Sequence, residues 1–322
     1  MRPGVSTIFV EDLGKIAPDP HTMYRGTLMR MILAAAIACT FITGAAVAKP
    51  LRVYISVDME GITGVVNSDQ ANASGKDYDR FRKQMTAEAN AAIEGAVAAG
   101  ATQVLVNDSH GSMTNLLGEE LRAPAELISS NIKTLGMMQG IDQGFDAAIF
   151  IGYHAKAGSP VGVLAHTGSG TVRDLRVNGK SVGEGGMNIY AAGAVGVPVV
   201  LISGDQIAIE QARELVPNIE GVQVKEAIGT RAARSLRPEE SVRLIREGTQ
   251  RALKRLSEFK PVAPSTPVRM EASFNDPAIA LMAEQIPTVE RIGPNEVAFP
   301  ARDYLSGYRL FRVLYKFLAF PH

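Results

Sequence analysis

Four short apolar runs, "LRVYISV" (51–57), "TQVLVND" (102–108), "DAAIFIGYH" (146–154) and "VPVVLIS" (197–203), are separated by stretches long enough to hold helices. Runs of this kind, apolar throughout rather than alternating, suit strands buried on both faces, which need helical crossovers between them. Between the first two runs Phe81, Met85, Ala89, Ile93 and Ala96 recur at helical spacing over 79–99, and Gly100 follows as a terminator. The pattern predicts an α/β fold, a mostly parallel sheet flanked by helices.

The rest of the chain fills in around that sheet. "AELIS" (125–129) fits a short strand and "GIDQGF" a turn, while Asn178-Gly179 between two β-prone arms is a strong hairpin signal. Helices are expected over 185–195, from Asp205 to Leu215, and from Pro238, where proline and two acids suit a first turn. The proline-rich stretch 260–268 breaks the alternation, so the main α/β domain is placed at 49–265. A smaller C-terminal α+β subdomain, 266–322, would hold a strand near 267–274, a short helix, a hairpin around "GPNE" and a last helix over 302–318.

Met29 to Ala48 has arginine, then an apolar run, then Ala-Val-Ala, and reads as a secretory signal peptide cleaved after Ala48. Residues 1–28 precede a segment that normally stands first, so they read as a gene-model extension with Met29 as the start. Thr40, Thr43 and Gly44 interrupt the apolar run, and no stable membrane anchor is expected. Cys39, the single cysteine, falls inside the leader, so any metal in the chain from Lys49 must use nitrogen and oxygen ligands. Export without disulfides suits a bacterial periplasm. Basic and acidic residues both number 33, which gives no electrostatic footprint for nucleic acid.

Ligands of an open parallel sheet collect beyond the carboxyl ends of its strands. Asp58 and Glu60 follow the first run, His110 the second, His154 closes the third, and Glu184 follows the hairpin. A lone histidine at a strand end is commonly structural, but two histidines and three carboxylates at matching ends suggest ligands. Like charges as close as Asp58 and Glu60 raise one another's pKa unless a cation holds them. Five ligands exceed the needs of one tetrahedral zinc and fit a two-metal site with a shared water as attacking group. Asp58, short and at the strand end, is the expected bridge.

His166, twelve residues past His154, is placed outside the metal shell as a catalytic, proton-transferring histidine; the alternatives are a further ligand or an orienter of one. "HTGSGTV" (166–172) has the look of a phosphate cradle, but a hairpin rather than a helix follows it. Asp108 either hydrogen-bonds a ligand histidine or ends its strand, and Asp205 either ends a strand or caps the next helix.

With "SVDMEGITG" (56–64), "VLVNDSHG" (104–111), "GYHA" (152–155), "GVLAHT" (162–167) and "NGKSVGEGGMN" (178–188) in this order, the chain resembles the M55 family of D-aminopeptidases from Leu51 onward. It departs from the type enzyme in its leader and in the spacing from His154 to His166. The resemblance implies two zinc ions per subunit, with Asp58 bridging and Glu60, His110, His154 and Glu184 completing the ligands. It makes His166 the active-site residue described for the family as a nucleophile, with general acid/base work also open. It further implies short peptides with N-terminal D-amino acids as substrates, and ring-shaped homo-oligomers to which residues 266–322 would contribute. The expectation is therefore an exported binuclear zinc aminopeptidase. A two-metal amidase or esterase, and an exported binding protein without catalysis, are the alternatives.

Overall fold

The computed structural model describes residues 50–318; the leader and extension expected over 1–48, including Cys39, lie outside the described residues. The first strand, β1 (Leu51–Val57), is followed by a one-turn helix, α1 (Ser68–Ala71), and by the long helix α2 (Tyr78–Ala98). β2 (Ala101–Asp108), β3 (Ala125–Ile128) and β4 (Ala147–Tyr153) come next. The hairpin β5 (Val172–Val177) and β6 (Lys180–Ser181) leads into α3 (Glu184–Ala194). Asn178 and Gly179, at φ +49° and +81°, supply the two left-handed positions of its turn.

β7 (Val199–Gly204), α4 (Gln206–Arg213) and β8 (Glu220–Gln223) complete a six-stranded parallel sheet of order β3-β2-β1-β4-β7-β8. The chain goes outward from β1 through β2 and β3, then returns to place β4 on the other side. The carboxyl ends of β1 and β4 thus flank the point where the winding reverses, the usual position of a ligand crevice. Both strands are buried: β4 over its whole length and β1 from Val53 on.

β9 (Lys225–Gly229) and β10 (Ala232–Ser235) form a small hairpin that nothing in the sequence signalled. α5 (Pro238–Lys254) then packs along α2, and together they contact β1, β2, β4, β7 and β8. Beyond the proline-rich stretch come β11 (Val268–Phe274), α6 (Pro277–Ala283), β12 (Glu290–Gly293), β13 (Glu296–Ala301) and α7 (Tyr304–Phe317). The second sheet is antiparallel, of order β12-β13-β11-β5-β6, so strands from both sides of residues 260–268 build it. α7 packs on α3, which brings the end of the described chain beside the crevice.

Two glycines let the ends of β1 and β4 touch. The Gly61 N–H donates to the Gly152 carbonyl at 2.7 Å, and the Asp58 N–H to the Ile151 carbonyl at 2.8 Å. A Cβ on Gly61 would lie 1.9 Å from the Tyr153 carbonyl oxygen; one on Gly152, which sits at φ +72°, would lie 2.3 Å from that of Asp58. No side chain fits at either position.

Candidate metal centre

The five expected ligands converge at the carboxyl edge of the parallel sheet. Asp58, Glu60, His110, His154 and Glu184 are all buried, although each carries groups that prefer water when unpaired. Each imidazole uses one ring nitrogen to reach the backbone. His110 Nε2 donates to the Ala71 carbonyl at 2.8 Å, which turns Nδ1 toward Glu60 Oε2 at 2.8 Å and Asp58 Oδ1 at 3.3 Å. His154 Nδ1 donates to the Ala155 carbonyl at 2.9 Å, and its Nε2 faces Glu184 Oε2 at 3.4 Å and Asp58 Oδ2 at 3.5 Å. This backbone anchoring is how ligand histidines are commonly held in one tautomer.

Asp58 therefore stands between two clusters, one oxygen turned to each. Its Oδ1 belongs with Glu60 and His110, its Oδ2 with His154 and Glu184; in each group three ligand atoms lie within 4.8 Å of one another. Asp58 Oδ2 and His154 Nε2 are fully buried without a hydrogen-bond partner. Orphaned acceptors aimed at a common point are costly unless a cation fills it. Nitrogen and carboxylate donors at these positions suit a divalent metal such as zinc.

The electrostatics agree with that reading. Burial raises the pKa of Asp58 well above the usual carboxylate value, and the Glu60 charge adds to it. Burial alone would lower the pKa of His154, but the Glu184 and Asp58 carboxylates lift it to about 10. Burial would raise Glu184, yet His154 and then His166 bring it down to about 2. Glu60 is likewise held low by His110 against its burial, and His110 is held high by Glu60 against its own. A proton and a metal ion compete for the same strongly negative pocket.

His166 lies on the rim. Its Nδ1 donates to the Leu164 carbonyl at 2.9 Å, its Nε2 stands 3.3 Å from Glu184 Oε1, and its side chain keeps 27% exposure. Its ring stacks on that of His154 with centroids 4.1 Å apart. It also forms a third close group with Glu60 and His154. His166 and the expected ligands Asp58, Glu60, His110 and Glu184 line one open cavity of about 230 Å³, joined by Tyr315 and Lys316 from α7.

The two uncertain aspartates resolve into positioning roles. Asp108 accepts hydrogen bonds from the backbone N–H groups of Asn115 and Leu116 at 2.6 and 2.8 Å and from the Asn115 side chain, bracing the loop that carries His110. Asp205 caps α4 through the Ala208 N–H and also accepts the Val163 N–H, both at 2.9 Å, which tethers the segment leading to His166. The Gly168 N–H donates to Glu184 Oε1 at 2.6 Å, so the "HTGSG" loop cradles a carboxylate of the protein itself.

The residue the sequence hid is Lys225. It is fully buried, and its Nζ donates to the carbonyls of Glu60, Ile62 and Val65, fastening the turn that follows β1. Burial lowers its pKa to about 8. In "VQVKEA" it takes the place of an outward residue of an alternating strand, so no pattern marks it.

Comparison with known proteins meets this geometry from the other side. The family model described as "D-aminopeptidase", Peptidase_M55, matches residues 51–313. A D-aminopeptidase of Bacillus subtilis (strain 168) is 39% identical over 265 residues, covering 82% of this chain and 96% of that protein. Among solved structures, the "Zn-dependent D-aminopeptidase DppA from Bacillus subtilis, a self-compartmentalizing protease" superposes with a TM-score of 0.81 at 38% identity, covering 83% of this chain and 98% of the other. With its six-stranded sheet and its cluster of nitrogen and oxygen ligands, the chain belongs to the M55 family of D-aminopeptidases, which are metallo-aminopeptidases.

Proposed function

We propose that this chain is an exported binuclear zinc aminopeptidase that removes N-terminal D-amino acids from short peptides. The observation that carries the two-ion reading is Asp58, which offers one carboxylate oxygen to each of two ligand groups. Glu60 and His110 would complete one site, His154 and Glu184 the other. Zinc bound there would polarise the scissile carbonyl and activate a water.

The chain's own residues account for the remaining needs. His166 Nε2 stands at the cavity wall, where it would take a proton and return it to the leaving amine. Its backbone-bonded Nδ1 fixes the ring so that only Nε2 serves. Gly168 and His166 both steady Glu184, which keeps that carboxylate from swinging toward the solvent. The leader read at 29–48 supports export, with D-alanine-rich cell-wall peptides within reach of a periplasmic enzyme. The self-compartmentalizing description of the B. subtilis relative supports a homo-oligomer.

The test is hydrolysis of D-alanyl-D-alanine and L-alanyl-L-alanine by the chain from Lys49, with zinc supplied or chelated and bound zinc counted per chain. Two zinc ions and preferential, zinc-dependent cleavage of the D-dipeptide are expected. Two ions without cleavage of either peptide would move the reading to an amidase or esterase. One ion per chain would remove the bridging role of Asp58.

A further inference from the structure

Lys316 of α7 lines two cavities, the one at the metal centre and a second on its far side. Beyond Lys316 lies a groove of about 370 Å³, lined by Ile132, Lys133, Arg309, Arg312, Val313 and Phe317 among others, and Lys316 lines both spaces. Ile132, Val313 and Phe317 are exposed there at 81%, 41% and 64%, which gives the groove an apolar floor. Among the described residues, every charged one on its wall is a cation, Lys133, Arg309, Arg312 and Lys316, and no carboxylate lines it.

Two of these cations are committed elsewhere. Lys133 Nζ donates to Asn107 Oδ1 and to the Asp108 carbonyl, both at 2.7 Å, and Arg312 donates to the Lys133 carbonyl. Arg312 is more than nine-tenths buried, and its Nε has no hydrogen-bond partner. Among the described residues, neither Arg309 nor Lys316 forms a hydrogen bond or ion pair through its side chain. Of these two, only Lys316 also lines the cavity of the expected metal ligands, where the other charged side chains among the described residues are carboxylates and histidines.

A short peptide has one negative charge, its terminal carboxylate, at the end remote from its amino group. Resting on the aminopeptidase reading, we propose that Lys316 binds the C-terminal carboxylate of the peptide whose amino end lies at the metal centre, with the apolar groove taking the terminal side chain. Lys316 is then a specificity residue that favours short peptides, because a longer chain carries its carboxylate past this point. The metal centre would take the amino end of a dipeptide and Lys316, on the wall of the same cavity, its carboxylate. Arg312, held rigid under the groove, adds to the positive field without being required for contact.

The test compares D-alanyl-D-alanine with D-alanine p-nitroanilide, which lacks the carboxylate. In Lys316→Met, KM for the dipeptide should rise about tenfold or more, as befits loss of a charge-assisted hydrogen bond, while the anilide changes less than about twofold. Lys316→Arg should recover most of the loss. Equal losses on both substrates, or an unchanged KM for the dipeptide, overturn the proposal. If the wild type cleaves neither substrate, the functional reading fails by itself and calorimetry decides on the subsite. There, D-alanyl-D-alanine must bind the wild type more tightly than its C-terminal amide, and the difference must vanish in Lys316→Met; equal binding by the wild type overturns it.

Discussion

His154 and His166 stack with their ring planes 14° apart and their centroids separated by 4.1 Å, yet each is anchored to a different carbonyl and aims its free nitrogen at a different oxygen of Glu184. The pair shares one carboxylate but not one environment: His154 is buried and His166 lies at the cavity wall. Their replacement should therefore have different consequences. His154→Ala is expected to lose zinc together with activity, whereas His166→Ala should retain zinc and lose about a hundredfold or more in kcat, the usual contribution of a positioned proton donor. Metal analysis alongside turnover checks this, and zinc loss in His166→Ala would make the residue a ligand.

The crossing of the β1 and β4 ends tolerates no side chain. Gly61→Ala would drive a methyl group into the Tyr153 carbonyl, so separation of the two strand ends, or failure to fold, is expected. A cost of roughly 3 kcal/mol or more follows from a clash with the backbone of Gly152 and Tyr153, which no side-chain rotation can relieve. Thermal melting of the variant should show it, with zinc affinity falling in parallel because Glu60 and His154 flank the contact.

Metal-free protein should be sensitive to pH on the alkaline side, and zinc-loaded protein should not. His154 has its pKa lifted from 6.5 to about 10, so the stability it gains from Glu184 and Asp58 is full below pH 6.5 and disappears as pH rises through about 10. Glu184, lowered from 4.5 to about 2, contributes above pH 4.5 and loses that contribution as pH falls through about 2. Chelated protein should therefore lose stability between pH 7 and 10. Zinc binds neutral imidazole, so the loaded protein should hold its melting temperature over that interval and lose zinc in acid instead.

Lys225 offers a test of the turn that carries Glu60. Lys225→Met keeps the length and removes three hydrogen bonds, leaving the carbonyls of Glu60 and Val65 unsatisfied and that of Ile62 with only the Val65 N–H at 3.4 Å. A loss of about 2–4 kcal/mol in denaturant unfolding is expected from buried acceptors without donors. Zinc affinity should weaken further than in a surface variant such as Lys254→Met, since the turn would no longer be held.

Much of this was legible in the sequence because the runs ending in Asp58, Asp108 and His154 are strands whose last residues had to emerge at one edge of a parallel sheet. The hairpin at Asn178-Gly179 was equally plain, since few dipeptides accept two left-handed positions. The hairpin at 225–235 was not, because its short arms alternate weakly and its one buried cation reads as a surface residue. Asp205 was open in the sequence between strand end and cap, and its bond to Val163 joins segments 42 residues apart, which no local pattern encodes. The groove beyond Lys316 escaped notice for the same reason: Ile132 and Val313 face it from distant segments.

The helix 304–317 follows every expected ligand in the chain, yet Tyr315 and Lys316 supply part of the wall around them. A ribosome-bound intermediate would carry all five expected ligands and still lack part of the wall around them. Hydrolytic competence would then arrive only with the last helix, so an unfinished or clipped chain that keeps its metals would remain a poor peptidase.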